Sequence, residues 1–318
     1  MTPILATAFE WISLWFLAFV LGSWLSAMIY QALRRILLPC HASVRSLATL
    51  LLGVIPPLAS LLVLVLVMHP DWATFLVPEH CHEGHCDSHA PVFLASSFGG
   101  MALVATSLMV MCLLLGFCLR NLHYGQQRIA ALFRLASGNT TPRFEVIESP
   151  GLLAWCCGLI QPKVLVSRGL LDRLTPAQLE VVLVHEEEHA RRKDNLRHVA
   201  LLWCTVFWPG RIRQRIRADV TADAEESCDR AACKSAEDPA MLRTVMELLR
   251  QEVPHSEVRA RSAFFHSPRK LGKGAIQLPQ TASSLRAWSA TWFSWLAHIV
   301  VLTGLAHFIL EWISGLSN

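Results

Sequence analysis

Four long apolar runs limit what this chain can become: residues 9–30, 47–68, 92–119 and about 292–313. About 20 apolar residues cross the hydrocarbon core of a bilayer as a helix, so each run is long enough to span. The runs explain why charged residues make up only 16% of the chain, against about a quarter in a soluble domain. Pro56 and Pro57 should kink the second run, with neighbouring helices satisfying the freed carbonyls. The N-terminus lacks the basic leader of a cleaved signal peptide, so the first run is expected to stay in the membrane.

Charge sets the expected orientation. All 28 lysines and arginines lie in 34–45 or 120–286. Basic residues favour the cytoplasm. Residues 31–46 and 120–286 are therefore expected inside the cell, and the N-terminus, the loop 69–91 and the C-terminus outside. The net charge of +4 is then a topology signal. No basic patch interleaved with aromatics argues for direct nucleic-acid binding; membrane lipid is the expected surroundings, and a homo-oligomer stays open.

The expected organisation is a three-span membrane region at 1–119, a cytoplasmic domain at 120–286 whose part 253–286 is a linker, and a fourth span with a short external tail at 287–318. Within 120–286, residues 122–137 read as helix, and "RFEVIES" (143–149) and "KVLVSRG" (163–169) as strands. Thr175, Pro176 and Gln178 form the start signal of a helix that continues through His189. Residues 219–250 read as helix broken near Pro239. Residues 196–208 are apolar but too short to span; a buried core helix and a helix lying against the membrane face are both open. Cys112 and Cys118 read as packing within a span, and Cys156, Cys157, Cys204, Cys228 and Cys233 as thiols in a reducing compartment.

The chemistry concentrates in "VVLVHEEEHARRKD", residues 181–194. Positions four apart share a helix face, so His185 and His189 can address one ion. A solvated surface accounts for part of the run by pairing Glu187 with Arg191 and Glu188 with Arg192. It leaves out Glu186, whose neighbour four residues on is Ala190. Glu186 is the position of the general base in HExxH metallopeptidases. A catalytic zinc site wants three protein ligands and one open position. Glu225, in "EESCD", is the candidate third ligand. Asp194 and Asp229 are candidates to orient the histidines through their other ring nitrogens. The competing reading of 225–230 is a charged helix face with a Glu226–Arg230 pair.

The run "GLIQPKVLVSRGLLDRLTPAQLEVVLVHEEEHARRKDNL" (158–196) with "EESCDRAA" (225–232) resembles the membrane metallopeptidases of the BlaR/MecR type, the bacterial β-lactam sensor-transducers and their sensor-less relatives. HtpX-type proteases share the zinc motifs and stand second. The resemblance implies a membrane α-helical protein of four spans with a cytoplasmic α+β, zincin-like (HExxH gluzincin) domain between spans three and four. It implies one catalytic zinc on His185, His189 and Glu225, with Glu186 as catalytic base, and a cytoplasmic protein substrate such as a winged-helix repressor of the BlaI/MecI/CopY type, or the protein itself. No penicillin-binding module follows the last span, so β-lactam sensing by this chain is not expected. An HtpX-like quality-control protease, and a metal-binding or transport protein in which the motif is structural, are the alternatives. "KVLVS" (163–167) resembles the edge strand on which zinc peptidases dock substrate. The group that would stabilise the oxyanion is open; His255 and His266 are candidates, whereas neither tyrosine, Tyr30 or Tyr124, follows the third ligand.

One motif lies elsewhere. "EHCHEGHCDSH" (79–89) places His80, Cys81, His82, His85, Cys86 and His89 in the external loop. A Cys81–Cys86 disulfide pinning the loop and a second metal site for copper or zinc that senses an external ion are both open. His298 and His307 lie nine apart in the fourth span, on nearly opposite helix faces, so a joint site is not expected; a hydrogen bond to a neighbouring helix is.

Overall fold

The computed structural model describes residues 3–69, 72, 98–134, 136–140, 142–235, 245 and 280–316. In chain order these form α1 (Pro3–Leu37), α2 (Ala42–Met68), α3 (Phe98–Arg134), β1 (Ala136–Thr140), β2 (Phe144–Ile147), β3 (Ala154–Cys157), β4 (Lys163–Ser167), α4 (Arg168–Arg173), α5 (Pro176–Arg192), α6 (Asp194–Cys204), α7 (Gly210–Ser235) and α8 (Gln280–Leu316). Four of the helices, α1, α2, α3 and α8, are long and apolar enough to cross a membrane. The loop 79–89 and residues 253–279 lie outside the described residues, as does the expected break near Pro239. Residues 280–286, expected in a linker, are helical: α8 continues past the apolar run because Ala287 is buried in the core shared with α1 and α2.

α1, α2 and α8 pack on one another, and α3 lies against α1 while staying largely exposed. α2 passes through Pro56 and Pro57 as one helix. His298 of α8 shares a hydrogen bond with Ser26 of α1 at 2.7 Å, the interhelical partner expected of it.

α3 extends beyond its apolar run into the part of the chain that carries the sheet. There Ile129 and Phe133 cover one face of a four-stranded sheet, against Ile147, Cys157 and Leu165. α5 covers the other face with Val182 and Leu183 against Val164 and Val166. The sheet order is β1-β2-β4-β3, with β2 and β4 parallel and the outer pairs antiparallel. β4 is therefore interior, buried on both faces. This corrects the expectation that "KVLVS" is an edge; the edge near the site is β3. Neither β1 nor β3 was legible as a strand: "ASGNT" has no apolar alternation, and "AWCC" is four residues long.

Two glycines are demanded by geometry. Gly158 has φ +103°, which L side chains rarely adopt, in the turn between β3 and β4. At Gly169 a Cβ would lie 2.1 Å from the carbonyl oxygen of Pro150. That clash is with backbone, so no side chain can rotate to relieve it. Gly169→Ala is expected to cost about 3 kcal/mol or more, read as a lower unfolding midpoint in detergent.

The apolar segment 196–208 packs on the spans. Leu201, Trp208 and Ile216 join the core formed by Ala27, Leu52 and Ile55. Phe207 meets Phe16 and Phe19 edge-on at 5.4 and 5.2 Å. The α6–α7 hairpin thus seats the domain directly on α1 and α2.

Candidate metal centre

α5 starts with a full capping box: Thr175 accepts from the Gln178 amide while Gln178 accepts from the Thr175 amide, with Pro176 in the first turn. One face of this helix then presents His185 and His189, their rings 5.0 Å apart. The helix stops at Lys193, whose left-handed backbone (φ 53°, ψ 45°) starts α6 in a new direction. That reversal lets Asp194 reach back to His189 Nδ1 at 2.9 Å.

α7 supplies Glu225. Its Oε2 lies 3.7 Å from His185 Nε2 and its Oε1 3.6 Å from His189 Nε2. Two donors each about 2.1 Å from one ion at the tetrahedral angle stand roughly 3.4 Å apart, so the spacing suits a single small cation. His189 Nε2 is buried without a hydrogen-bond partner, and its Nδ1 is engaged by Asp194, so Nε2 is left to donate a lone pair. Asp229 Oδ1 lies 3.2 Å from His185 Nδ1, within ion-pair range but without the hydrogen-bond geometry that Asp194 has with His189. The donor set fits zinc.

The electrostatics agree. Burial pushes the His185 imidazole down, but the Asp229 and Glu225 carboxylates beside it outweigh this and raise it to about 10. Burial lowers His189 too, and Asp194, Glu186 and Glu225 reverse the direction. Burial raises Glu225, and its two histidines bring it below the ordinary carboxylate range. A site that holds a proton this firmly is built for positive charge. Because zinc and the proton compete for the same nitrogens, zinc uptake at pH 7 should release at least one proton and tighten as pH rises. Titration in weak buffer measures this.

Glu186 is buried, and its Oε2 accepts a hydrogen bond from the Cys156 amide of β3 at 2.8 Å. Burial raises its pKa, against the pull of His185 and His189. Asn195 donates to the carbonyls of Cys156 (3.1 Å) and Gly158 (3.2 Å). The amide and the carbonyl of Cys156 on the edge strand are thereby both engaged. A second grouping, His189, Asp194 and Cys228, suits a metal less well. Burial and the nearby Asp194 and Glu225 raise the Cys228 thiol, so the thiolate a metal needs is disfavoured.

The surface pairs differ from those expected. Glu187 pairs with Arg143 at 2.7 Å and Glu188 with Arg191 at 2.5 Å. Arg192 turns inward to Asp194 and Ser46. Glu226–Arg230 is an ion pair, at 2.9 Å. Tyr30 bonds Asp219. His80, Cys81, His82, His85, Cys86, His89, His255 and His266 lie outside the described residues. Sequence reasoning missed Asn195 and the Cys156 amide; the adjacency of Asn195 to Asp194 was the one signal.

Residues 120–217 match the family model of peptidase family M48. The match covers His185, Glu186 and His189 and stops before Glu225. A protease HtpX homolog of Moorella thermoacetica is 37% identical over 76 residues, 23% of this chain and 24% of that relative. The chain thus matches about a quarter of that relative's length. That relative falls on the HtpX side of the two resemblances. No solved structure matches the chain.

Proposed function

We propose that the protein is a membrane-anchored zinc endopeptidase. The observation that carries this is the convergence of both histidine Nε2 atoms on the two oxygens of Glu225, with Asp194 and Asp229 behind the rings. Zinc bound there would polarise a water and lower its pKa toward neutrality. Asp194 holds the His189 imidazole in the tautomer that leaves Nε2 free, and Asp229 stands beside His185 Nδ1 to do the same for that ring. Glu186, buried beside the histidines, takes the proton of the attacking water and later delivers it to the leaving amine. Burial favours the protonated form of Glu186, which suits that second step. An extended peptide would add to the β3 edge at Ala154, which alternation places on the same side as Cys156, whose own amide and carbonyl are engaged by Glu186 and Asn195.

The domain faces the cytoplasm of a bacterial inner membrane in this reading, as the arginines and lysines direct. The M48 and HtpX matches favour a protease with many membrane clients. The second reading is a transducer that cleaves one cytoplasmic repressor of the BlaI/MecI/CopY type. It is favoured by the motif run at 158–196 and 225–232, and by three spanning helices before that run and one after. Trapping with Glu186→Gln in cells separates them. Many misfolded clients support the first reading; one or two winged-helix proteins support the second. No trapped protein, with wild-type cleavage activity absent, would sink both.

A further inference from the structure

The helix that carries Glu225 is held from outside the peptidase-like domain. Arg45, in the first turns of α2, donates from Nε to Asp223 Oδ1 at 2.6 Å and from Nη2 to Glu226 Oε2 at 2.7 Å. Its Nη1 donates to the carbonyls of Leu38 (3.2 Å) and Cys40 (3.1 Å), which fixes the guanidinium in the turn joining α1 to α2. Asp223 is 1% exposed and the Arg45 side chain 14%. All three guanidinium nitrogens are engaged, and the two carboxylates they hold flank Glu225 in the chain.

The next residue reaches the other half of the site. Ser46 Oγ accepts from Arg192 Nη2 at 3.1 Å. Arg192 Nε donates to both oxygens of Asp194 at 3.3 Å, and Asp194 holds His189. Two adjacent residues of one membrane helix thus reach both ligand-bearing helices, α7 and α5.

Geometry explains why such a clamp matters. The carboxylate of a glutamate lies about 6 Å from its helix axis, so a rotation of about 10° moves it roughly 1 Å. Glu225 has to keep an oxygen close to each of two histidines. A planar guanidinium that grips residues before and after Glu225 removes that rotation, which a lysine, with three donors on one rotatable point charge and no rigid fork, does less well. A buried ion pair is a poor source of stability compared with apolar packing; what it supplies here is register.

We propose that Arg45 is a positioning residue for the metal centre, setting the placement of Glu225 through Asp223 and Glu226, and that Ser46 does the same for His189 through Arg192 and Asp194. The turn between the first two spans is then part of the machinery that shapes the site. This rests on the reading of His185, His189 and Glu225 as zinc ligands.

The test uses the full chain in detergent, with zinc against a competing chelator and cobalt as a spectroscopic probe of ligand geometry. The control is Arg34→Met, which breaks the neighbouring tether of the same helix, Arg34 to Asp219 at 2.5 Å, six residues before Glu225. Arg45→Met should weaken zinc about tenfold or more, the scale of losing an outer partner of a ligand, and shift the cobalt spectrum. Arg45→Lys should fall between Arg45→Met and wild type. Ser46→Ala should weaken zinc measurably, and Arg34→Met should stay within about threefold of wild type. Wild-type affinity and spectrum in Arg45→Met overturn the proposal, and so does an equal loss in Arg34→Met. If Arg45→Met does not fold, Arg45→Lys decides: affinity equal to wild type overturns the proposal. A wild-type protein that takes up no metal would instead overturn the zinc reading on which this stands.

Discussion

Glu186→Gln is expected to keep stoichiometric zinc and to lose peptide cleavage by about a thousandfold, within the range seen for removal of a general base. The amide keeps the size of the carboxylate and can still accept from the Cys156 amide through its carbonyl oxygen, so the fold and the β3 edge should survive. What disappears is the group that takes the proton from the attacking water. Metal analysis and cleavage of an unfolded protein substrate by wild type and variant check both halves. Loss of zinc together with activity would make Glu186 a ligand instead. Undiminished cleavage would remove the peptidase reading from this site.

Glu225→Ala and His189→Ala are each expected to lose the zinc. Each variant leaves two of the three donors of the proposed site, and a stable catalytic site needs three; the grouping of His189, Asp194 and Cys228, intact in Glu225→Ala, is a poor substitute because its thiol is disfavoured as a donor. The loss also shows in stability. At free zinc about 100-fold above its dissociation constant, the metal stabilises the folded state by about 2.7 kcal/mol. Wild type should therefore melt higher with zinc than after chelation, and both variants should melt alike with and without it. Full zinc in either variant would remove that residue from the ligand set. Cys228→Ala, by contrast, should hold zinc as wild type does, since its thiol is disfavoured as a donor.

The four helices long and apolar enough to cross a membrane, the helix start at Thr175 and the pairing of His185 with His189 were readable because each depends on local chain properties. An apolar run has the length of a bilayer, a capping box spans four residues, and i,i+4 spacing places two side chains on one face. Glu225 was readable only as a candidate that a charged helix face could equally explain, and resemblance strengthened it; its approach to both histidines comes from α7 packing on α5. The edge strand was misplaced for a related reason. "KVLVS" is the most strand-like segment, and it is so because it is buried on both faces as a central strand.

The sequence by itself determined that the chain carries four helices fit for a bilayer and a helix with two histidines and an acid on one side. Only the tertiary structure decided which strand borders the site, that Arg192 turns inward where a surface pair was expected, and that Arg45 and Ser46 hold both halves of the centre. Side-chain spacing along one helix is a property of its own backbone. Contacts between residues 45 and 223, or 46 and 192, depend on how separate helices dock. Docking is set by the sum of many weak apolar contacts, such as Leu201, Ile216 and Phe207 on the first two spans, and no short stretch of sequence encodes that sum.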